Sequence, residues 1–463
     1  MKQKIKKKNV IIILYVILTI IVGLFVFFSA PNLNPLYSEG AFFWLVLITI
    51  YSILPLLSGL KLEQTTDSHG RMAINFAKGE NKIAKSKKLF LVVLASLWAL
   101  FILINLICGP LFFSKIYRDQ MKEPIVKEFT SDVSTVDLNQ IPIVDAELAL
   151  NLADKKLGEE PSLGSQVVLG EPTIQNVDGK LLWIVPLHHS GFFKWTANLD
   201  GAAGYIKVSA TNLKDIEYVD KYKIKVQPNS FFMDDLSRRV RFGQGLFTGI
   251  TDYSFEINDE GKPYWAVTTY KNKCGFALPE ATGIILVDAE SGSQQKYNMN
   301  NIPKWIDRVQ PEKFLVNQFN NKGKYVHGVF NFSNKDKFKT TEGENIVYNN
   351  GNCYLFTGIT SVGIDNSATG FVMIDMVTKE PILYRMSGAT ETAAKETAQG
   401  KVQEKGYVAT APIILNVFDK PTYFMTLKDN AKLVKKYAFV SIKNYNIVGV
   451  GDTITEAKAD YGK

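Results

Sequence analysis

The side chains with the most chemistry to offer are four histidines and a handful of acidic pairs. His69 falls in a lysine-rich segment, His188 and His189 are neighbours, and His327 stands alone. Adjacent residues on a strand face opposite sides, so His188 and His189 cannot share one metal ion without a bulge. A site joining one of them to His327 and a carboxylate lacks any ligand spacing, and no metal is expected. Nucleophile and phosphate motifs are missing: there is no G-x-S-x-G, no H-E-x-x-H and no G-x-x-x-x-G-K-[ST]. RFGQGLFTG (241–249) has three glycines, but it precedes a strand pattern, so no helix N-terminus waits there for a phosphate. Asp234-Asp235 and Asp259-Glu260 lie in turn sequence, where solvation accounts for them. Asp307 and Arg308, inside PKWIDRVQPEKF (303–314), are more pointed: a Trp, an ion pair and two prolines read as a fixed, packed connection. Neither an enzyme nor a cofactor is expected from this set.

Recognition chemistry is better represented. Trp183, Trp195, Tyr264, Trp265, Tyr270, Tyr354, Phe356, Tyr423 and Phe424 all fall in expected strands, and most should be core. Tyr264, Trp265, Phe247, Phe356 and Tyr423 are the candidates for a face that takes a peptide or glycan. Open sheet edges could also receive an extended chain by strand addition. The pentapeptide FTGIT occurs twice, at 247–251 and 356–360. It reads either as a repeated binding edge or, more plainly, as a strand whose glycine must avoid a side chain. Its recurrence suggests two duplicated units.

The elements that position these residues begin with three apolar runs, at 10–29, 41–60 and 89–113. Each is long enough, at about 1.5 Å per residue, to cross a hydrocarbon layer of about 30 Å. The first follows a basic start as a signal peptide does, but its 20 unbroken apolar residues exceed the core of such a peptide. None of the runs contains Asp, Glu, Lys, Arg or His, so an anchor is expected and not a transport path.

Charge gives the orientation. The chain of 463 residues has a net charge of +8, yet residues 1–9 and 61–88 together hold twelve basic and three acidic residues. The remaining 41 basic and 42 acidic residues balance, which removes the case for nucleic acid. The loop at 30–40 has no Lys or Arg. Basic flanks are retained in the cytoplasm, so the N-terminus is expected inside and residues 114–463 outside. Three cysteines are too few for a disulfide scaffold; Cys274 and Cys353 are read as separate thiols, with pairing the alternative.

Beyond the anchor (1–113) and a polar stalk (114–140), a pattern repeats about four times: helix, strand, turn, aromatic strand, turn, strand. The aromatic strands are DGKLLWIVPL (178–187), DEGKPYWAVTTY (259–270), NNGNCYLFTGIT (349–360) and FDKPTYFMTLKD (418–429). Helical patterns precede them at 145–157, 230–240, 311–320 and 389–405. The implied modules are 141–225, 226–300, 301–387 and 388–463. The fold class expected is thus a three-span helical anchor plus an α+β soluble region of tandem helix-and-antiparallel-sheet modules. Gly261-Lys262-Pro263-Tyr264-Trp265 followed by Val287-Asp288-Ala289-Glu290-Ser291-Gly292 resembles the PepSY family of small α+β domains. The third unit keeps Asp375 but has Lys379 in place of the glycine, and the fourth lacks that ending.

The resemblance implies a modulator of a protease or another envelope protein, and it carries no catalytic residue. Asp288, Asp375, Gly261 and Gly292 have a sufficient role as turn formers. The expectation is therefore a multi-pass cell-membrane protein whose extracytoplasmic part engages a protein partner, in contact with the lipid bilayer and without nucleic acid. A cell-wall hydrolase and a structural protein of cell shape or wall assembly are the alternatives.

Overall fold

In the computed structural model the structure describes residues 7–57, 61–66, 72–77, 85–160, 163–362 and 367–463. The chain divides into two compact units. One comprises Met1–Gly109 with Val240–Gly249 and Asn272–Ala277; the other comprises Pro110–Arg239, Ile250–Lys271 and Leu278–Lys463.

The first unit is built on the helices Lys7–Ser29, Ser38–Leu57 and Lys85–Ile107. Two of them, over Ile12–Ser29 and Leu89–Ile107, are long and apolar enough to cross a membrane, whereas the middle one contributes a shorter apolar stretch, Ser38–Ser52. The middle helix meets both others: the Tyr51 hydroxyl lies 2.7 Å from that of Thr19, and the Trp98 indole donates to the Thr49 hydroxyl at 3.0 Å. The segment 272–277 packs within this unit. Phe276 lies 5.3 Å from Phe101, and a Cβ at Gly275 would sit 2.7 Å from Cys108 Sγ. The thiol that faces Cys274 is thus that of Cys108, not Cys353; Cys353 is buried against Met376 Sδ at 3.7 Å.

Among the described residues the second unit holds four larger, mainly antiparallel sheets with helices beside them, and a two-stranded one that pairs Ser367–Ala368 with Gly388–Ala389. Sheet one contains Val167–Leu169, Thr173–Val177, Lys180–His189, Ala202–Ser209 and Ile216–Ile224. Sheet two runs Gly249–Ile257, Pro263–Cys274, Ala277–Asp288 and Gln294–Asn298 in order. Sheet three contains Phe338–Thr340, Asn345–Asn349, Asn352–Ser361, Gly370–Asp375 and Pro381–Tyr384, and sheet four Val408–Ala409, Ile413–Val417, Lys420–Lys428, Val434–Ser441 and Val448–Gly451.

Sheets one, three and four share a device. Their first edge is two short strands that pair with the same long partner. Just past the outer piece, one amide bonds back across: Gly170 to Pro186 O, Thr341 to Gly358 O and Thr410 to Thr426 O, at 2.7, 2.9 and 2.9 Å. The inner piece then enters a two-residue hairpin with both φ positive, at Asp178-Gly179, Asn350-Gly351 and Phe418-Asp419. The aspartates flagged as turn formers act as such. Asp288 accepts from the amides of Glu290 and Ser291, and Asp375 from those of Val377 and Thr378. Lys379, at φ +64°, occupies the left-handed position that Gly292 takes at φ +72°.

Two expectations need correction. The stretch 114–140 is no free stalk: Ile125–Lys127 adds to sheet three in parallel with Pro381–Tyr384, while Met121 and Phe129 are 1% and 4% exposed. Their apolar residues are too scattered to show a period, and only partners distant in the chain bury them. Nor do sheets one, three and four each have a core of their own. Tyr423, Met425 and Leu427 of sheet four pack with Phe356 and Phe371 of sheet three, while Phe424 and Phe439 pack with Val185, Leu187 and Ile206 of sheet one. Alternate residues of one strand face opposite sides, so sheet four joins two cores.

Candidate functional site

Three of the split edges meet. Thr173–Val177, Asn345–Asn349 and Ile413–Val417 line one cavity of about 960 Å3, closed on another side by the segment 133–146. Its size suits a ligand or a short run of chain. The lining is rich in amide and hydroxyl groups, with Asn176, Asn345, Asn349, Asn416 and Thr410 beside Trp183 and Tyr348. An edge strand presents unpaired backbone donors and acceptors, which is what makes it a template for another chain. The protein already uses one of these edges in this way. Thr135 bridges to Asn416 in parallel, with the Val136 amide donating to Asn416 O at 3.0 Å. Asn416, 1% exposed, also donates to Val133 O at 2.8 Å, yet its Oδ1 has no partner.

One wall of the cavity runs into a buried polar cluster. The Tyr348 hydroxyl donates to Asp307 Oδ2 at 2.8 Å and the Asn176 backbone N–H to the same oxygen at 3.2 Å, while Asp307 Oδ1 is unpartnered. Behind it lies Glu256, fully buried, with Ser254 donating to one carboxyl oxygen and Gln175 to the other. Burial first, then the Asp307 charge, pushes the Glu256 carboxyl up to about 8, against the pull of Arg308. Burial also raises Asp307. A pair of raised carboxyls is a recurrent acid–base device. Here both oxygens of Glu256 are engaged and nothing of it is accessible, so it cannot reach a substrate. The cluster ties together strands of sheets one, two and three, as its Gln175, Glu256 and Tyr348 members show.

The five residues expected on a binding face do not form one. Trp265 is 3% exposed, its indole donating to Val226 O at 2.8 Å and its ring 4.9 Å from Phe255. Phe356 and Tyr423 are fully buried in the core shared by sheets three and four. Burying such rings on folding outweighs keeping them available, which is the physical reason for the difference. Tyr264 is half-buried against Trp305 at 5.3 Å, and Phe247 alone is largely exposed, at 58%. His188 is pushed down to about 4 by burial, and His327 pairs with Asp336 at 2.8 Å on the surface. Asp307, read as part of a packed connection, is such a part and also borders the cavity through Tyr348. What sequence reasoning missed were the asparagines at 176, 345, 349 and 416. The available signal was that asparagine is a poor strand former, so its repetition on predicted strands needs a reason.

No family model matches the chain, and no curated protein does. Among solved structures, it has a likeness to an endo-1,4-beta-xylanase from Bacteroides thetaiotaomicron, with 11% identity over 61% of this chain and 75% of that one and a TM-score of 0.18. A levansucrase mutant from B. megaterium gives 10% identity over 74% and 77%, with a TM-score of 0.20. A Synechocystis apocarotenoid oxygenase mutant gives 8% over 58% and 47%, with a TM-score of 0.14. Likenesses at this level carry no argument about fold or activity.

Proposed function

We propose that this is a multi-pass membrane protein, with three spans and a cytoplasmic N-terminus, whose extracytoplasmic part binds an extended segment of a protein partner at the cell envelope. The observation that carries the binding part is the convergence of three sheet edges on one cavity of mixed polar and apolar lining, one of them already extended by the chain's own 133–136 segment. Main-chain hydrogen bonds to these edges supply affinity, and the asparagine side chains between them supply register. The basic segments 1–9 and 61–88, against a 30–40 loop without Lys or Arg, support the orientation. The helix-then-meander plan behind the PepSY resemblance supports a modulating role in place of a catalytic one.

The test uses the full chain in its native membrane with a photo-crosslinking residue at Asn349 or, as control, at Lys296 on the outermost strand of sheet two. Adducts to one envelope protein at position 349 and none at 296 are expected. Equal labelling at the two positions, or none at 349, overturns the reading. The hydrolase alternative is separated by incubating purified wall material with the full chain: a hydrolase releases soluble fragments, whereas a binding protein releases none.

A further inference from the structure

A second pocket, of about 400 Å3, lies beside the parallel edge strand Ile125–Lys127 of sheet three. Its floor is apolar: Phe319 and Ile359 are almost fully buried, and Phe338, Leu383 and Val326 complete it. Its charged groups are few and mostly positive. Arg118 and Arg385 line it, and so does Lys322, which is 5% exposed and donates to Met121 O at 3.2 Å and Glu123 at 2.6 Å. Asp119 takes the Arg118 Nε at 2.7 Å, and Glu123 is itself in the lining, so both acids offset part of this charge. Arg385 is exposed and makes no ion pair with any described residue. An apolar floor with guanidinium groups beside it fits a molecule with a hydrocarbon tail and an anionic head, because a guanidinium grips a phosphate through paired, charge-assisted hydrogen bonds.

The element that delivers Arg118 narrows the source. Pro110–Arg118 is a short helical segment with a kink at Phe113 (φ −124°, ψ 26°) and no buried residue; it exposes Leu111 and Phe112 before the kink and Ile116 after it, with Lys115 and Arg118 in the last turn. Exposed apolar side chains with basic ones beside them are the pattern of a helix lying in a membrane interface. In the sequence it follows the apolar helix ending at Ile107, with two residues between.

We infer that this pocket binds one anionic phospholipid of the bilayer, its headgroup phosphate on Arg118 and Arg385 and part of one acyl chain against Phe319, Phe338 and Leu383. The inference rests on the membrane reading above, but not on the partner reading.

The full chain is first fractionated, and recovery in the soluble fraction without detergent would sink the membrane reading itself. From the membrane fraction it is purified in non-ionic detergent and titrated in native mass spectrometry with phosphatidylglycerol, phosphatidylcholine of the same chains, and oleate. Expected is one high-affinity phosphatidylglycerol adduct, weakened at least tenfold by Arg385→Ala and by Arg118→Gln and unchanged by Lys296→Gln. Thermal midpoints check that each variant folds. Equal retention of the two phospholipids, or an adduct that survives both arginine changes, overturns the proposal. Preferential retention of oleate overturns the bilayer phospholipid as occupant.

Discussion

The two copies of FTGIT carry the same letters into unlike surroundings. The first, 247–251, spans the point where the chain passes from one compact unit to the other. Its Phe247 is 58% exposed, its start is held by Asn34 donating to Phe247 O at 2.8 Å, and Arg241 donates to Thr248 O at 2.6 Å. The second, 356–360, lies in the middle of the long strand of sheet three, with Phe356 fully buried and stacked at 5.7 Å on Phe371. Gly358 there leaves no room for a side chain: a Cβ would lie 2.6 Å from Thr341 Oγ1 and 2.9 Å from Glu391 Oε1. The copies begin an edge strand in one sheet and cross the interior of another, so their recurrence does not mark equivalent positions. The repeated element is the split edge with its hairpin, which recurs without shared letters.

The contrast can be broken most sharply at the phenylalanines. Phe356→Ala is expected to cost about 3–5 kcal/mol, the range for a fully buried ring. Phe247→Ala should stay within about 0.5 kcal/mol, as for an exposed site. Denaturant unfolding of the full chain in detergent decides this, and similar losses at both positions would remove the distinction. Next in size is Gly358→Ala, expected to cost roughly 1–3 kcal/mol through overpacking against Thr341 and Glu391. A smaller variant partner, Thr341→Ser paired with it, should return little, because the Oγ1 that blocks the space remains.

A pH effect follows from the same place. Glu391 accepts from the Gly358 amide at 2.6 Å and the Thr341 hydroxyl at 2.7 Å, yet burial outweighs both and raises its carboxyl above the ordinary 4.5. The folded state then holds this proton more tightly than the unfolded chain. The stability it contributes is complete below the unfolded value and is lost as pH rises through the folded one, at no more than about 1.4 kcal/mol per unit. Thermal midpoints of Glu391→Gln should therefore show a flatter decline than wild type from pH 4.5 upward; identical slopes would assign the pH dependence elsewhere. At the first copy the expected effect is local. Asn34→Ala removes the hydrogen bond to Phe247 O and the one that Asn34 Oδ1 accepts from the Leu36 N–H, and should cost about 1 kcal/mol for each, seen as faster amide exchange over 246–249 and at Leu36 and little change in global unfolding.

Much of the second copy's role was within reach of sequence reasoning, since a strand glycine avoiding a side chain describes Gly358. Its partner was not, because Glu391 lies in a helix outside the sheet. The aromatic candidates fared differently for a similar reason. A Tyr or Trp on a strand announces burial or binding equally well, and the choice for Trp265, Phe356 and Tyr423 was made by which neighbouring sheet covered them.

What the chain determined by itself is local. Apolar runs of twenty residues make helices, glycine and asparagine at hairpin positions accept positive φ, and aspartate caps its own turns. The apolar helices, the helices Ala146–Gly158, Glu312–Lys324 and Glu391–Gly400 and the hairpins could therefore be read in advance. By contrast, 230–240 holds only Leu236–Val240 as α-helix, Trp195 lies in the helix Phe192–Ala197 and not in a strand, and Ile454–Tyr461 was not read at all. What tertiary structure alone decided is which edges face one another. Sheet four shares its two faces with sheets one and three, Asp307 reaches Tyr348, and three split edges enclose one cavity, all through contacts between residues far apart in the chain. Such contacts follow from closing and packing many surfaces at once, and no periodicity along the sequence records them.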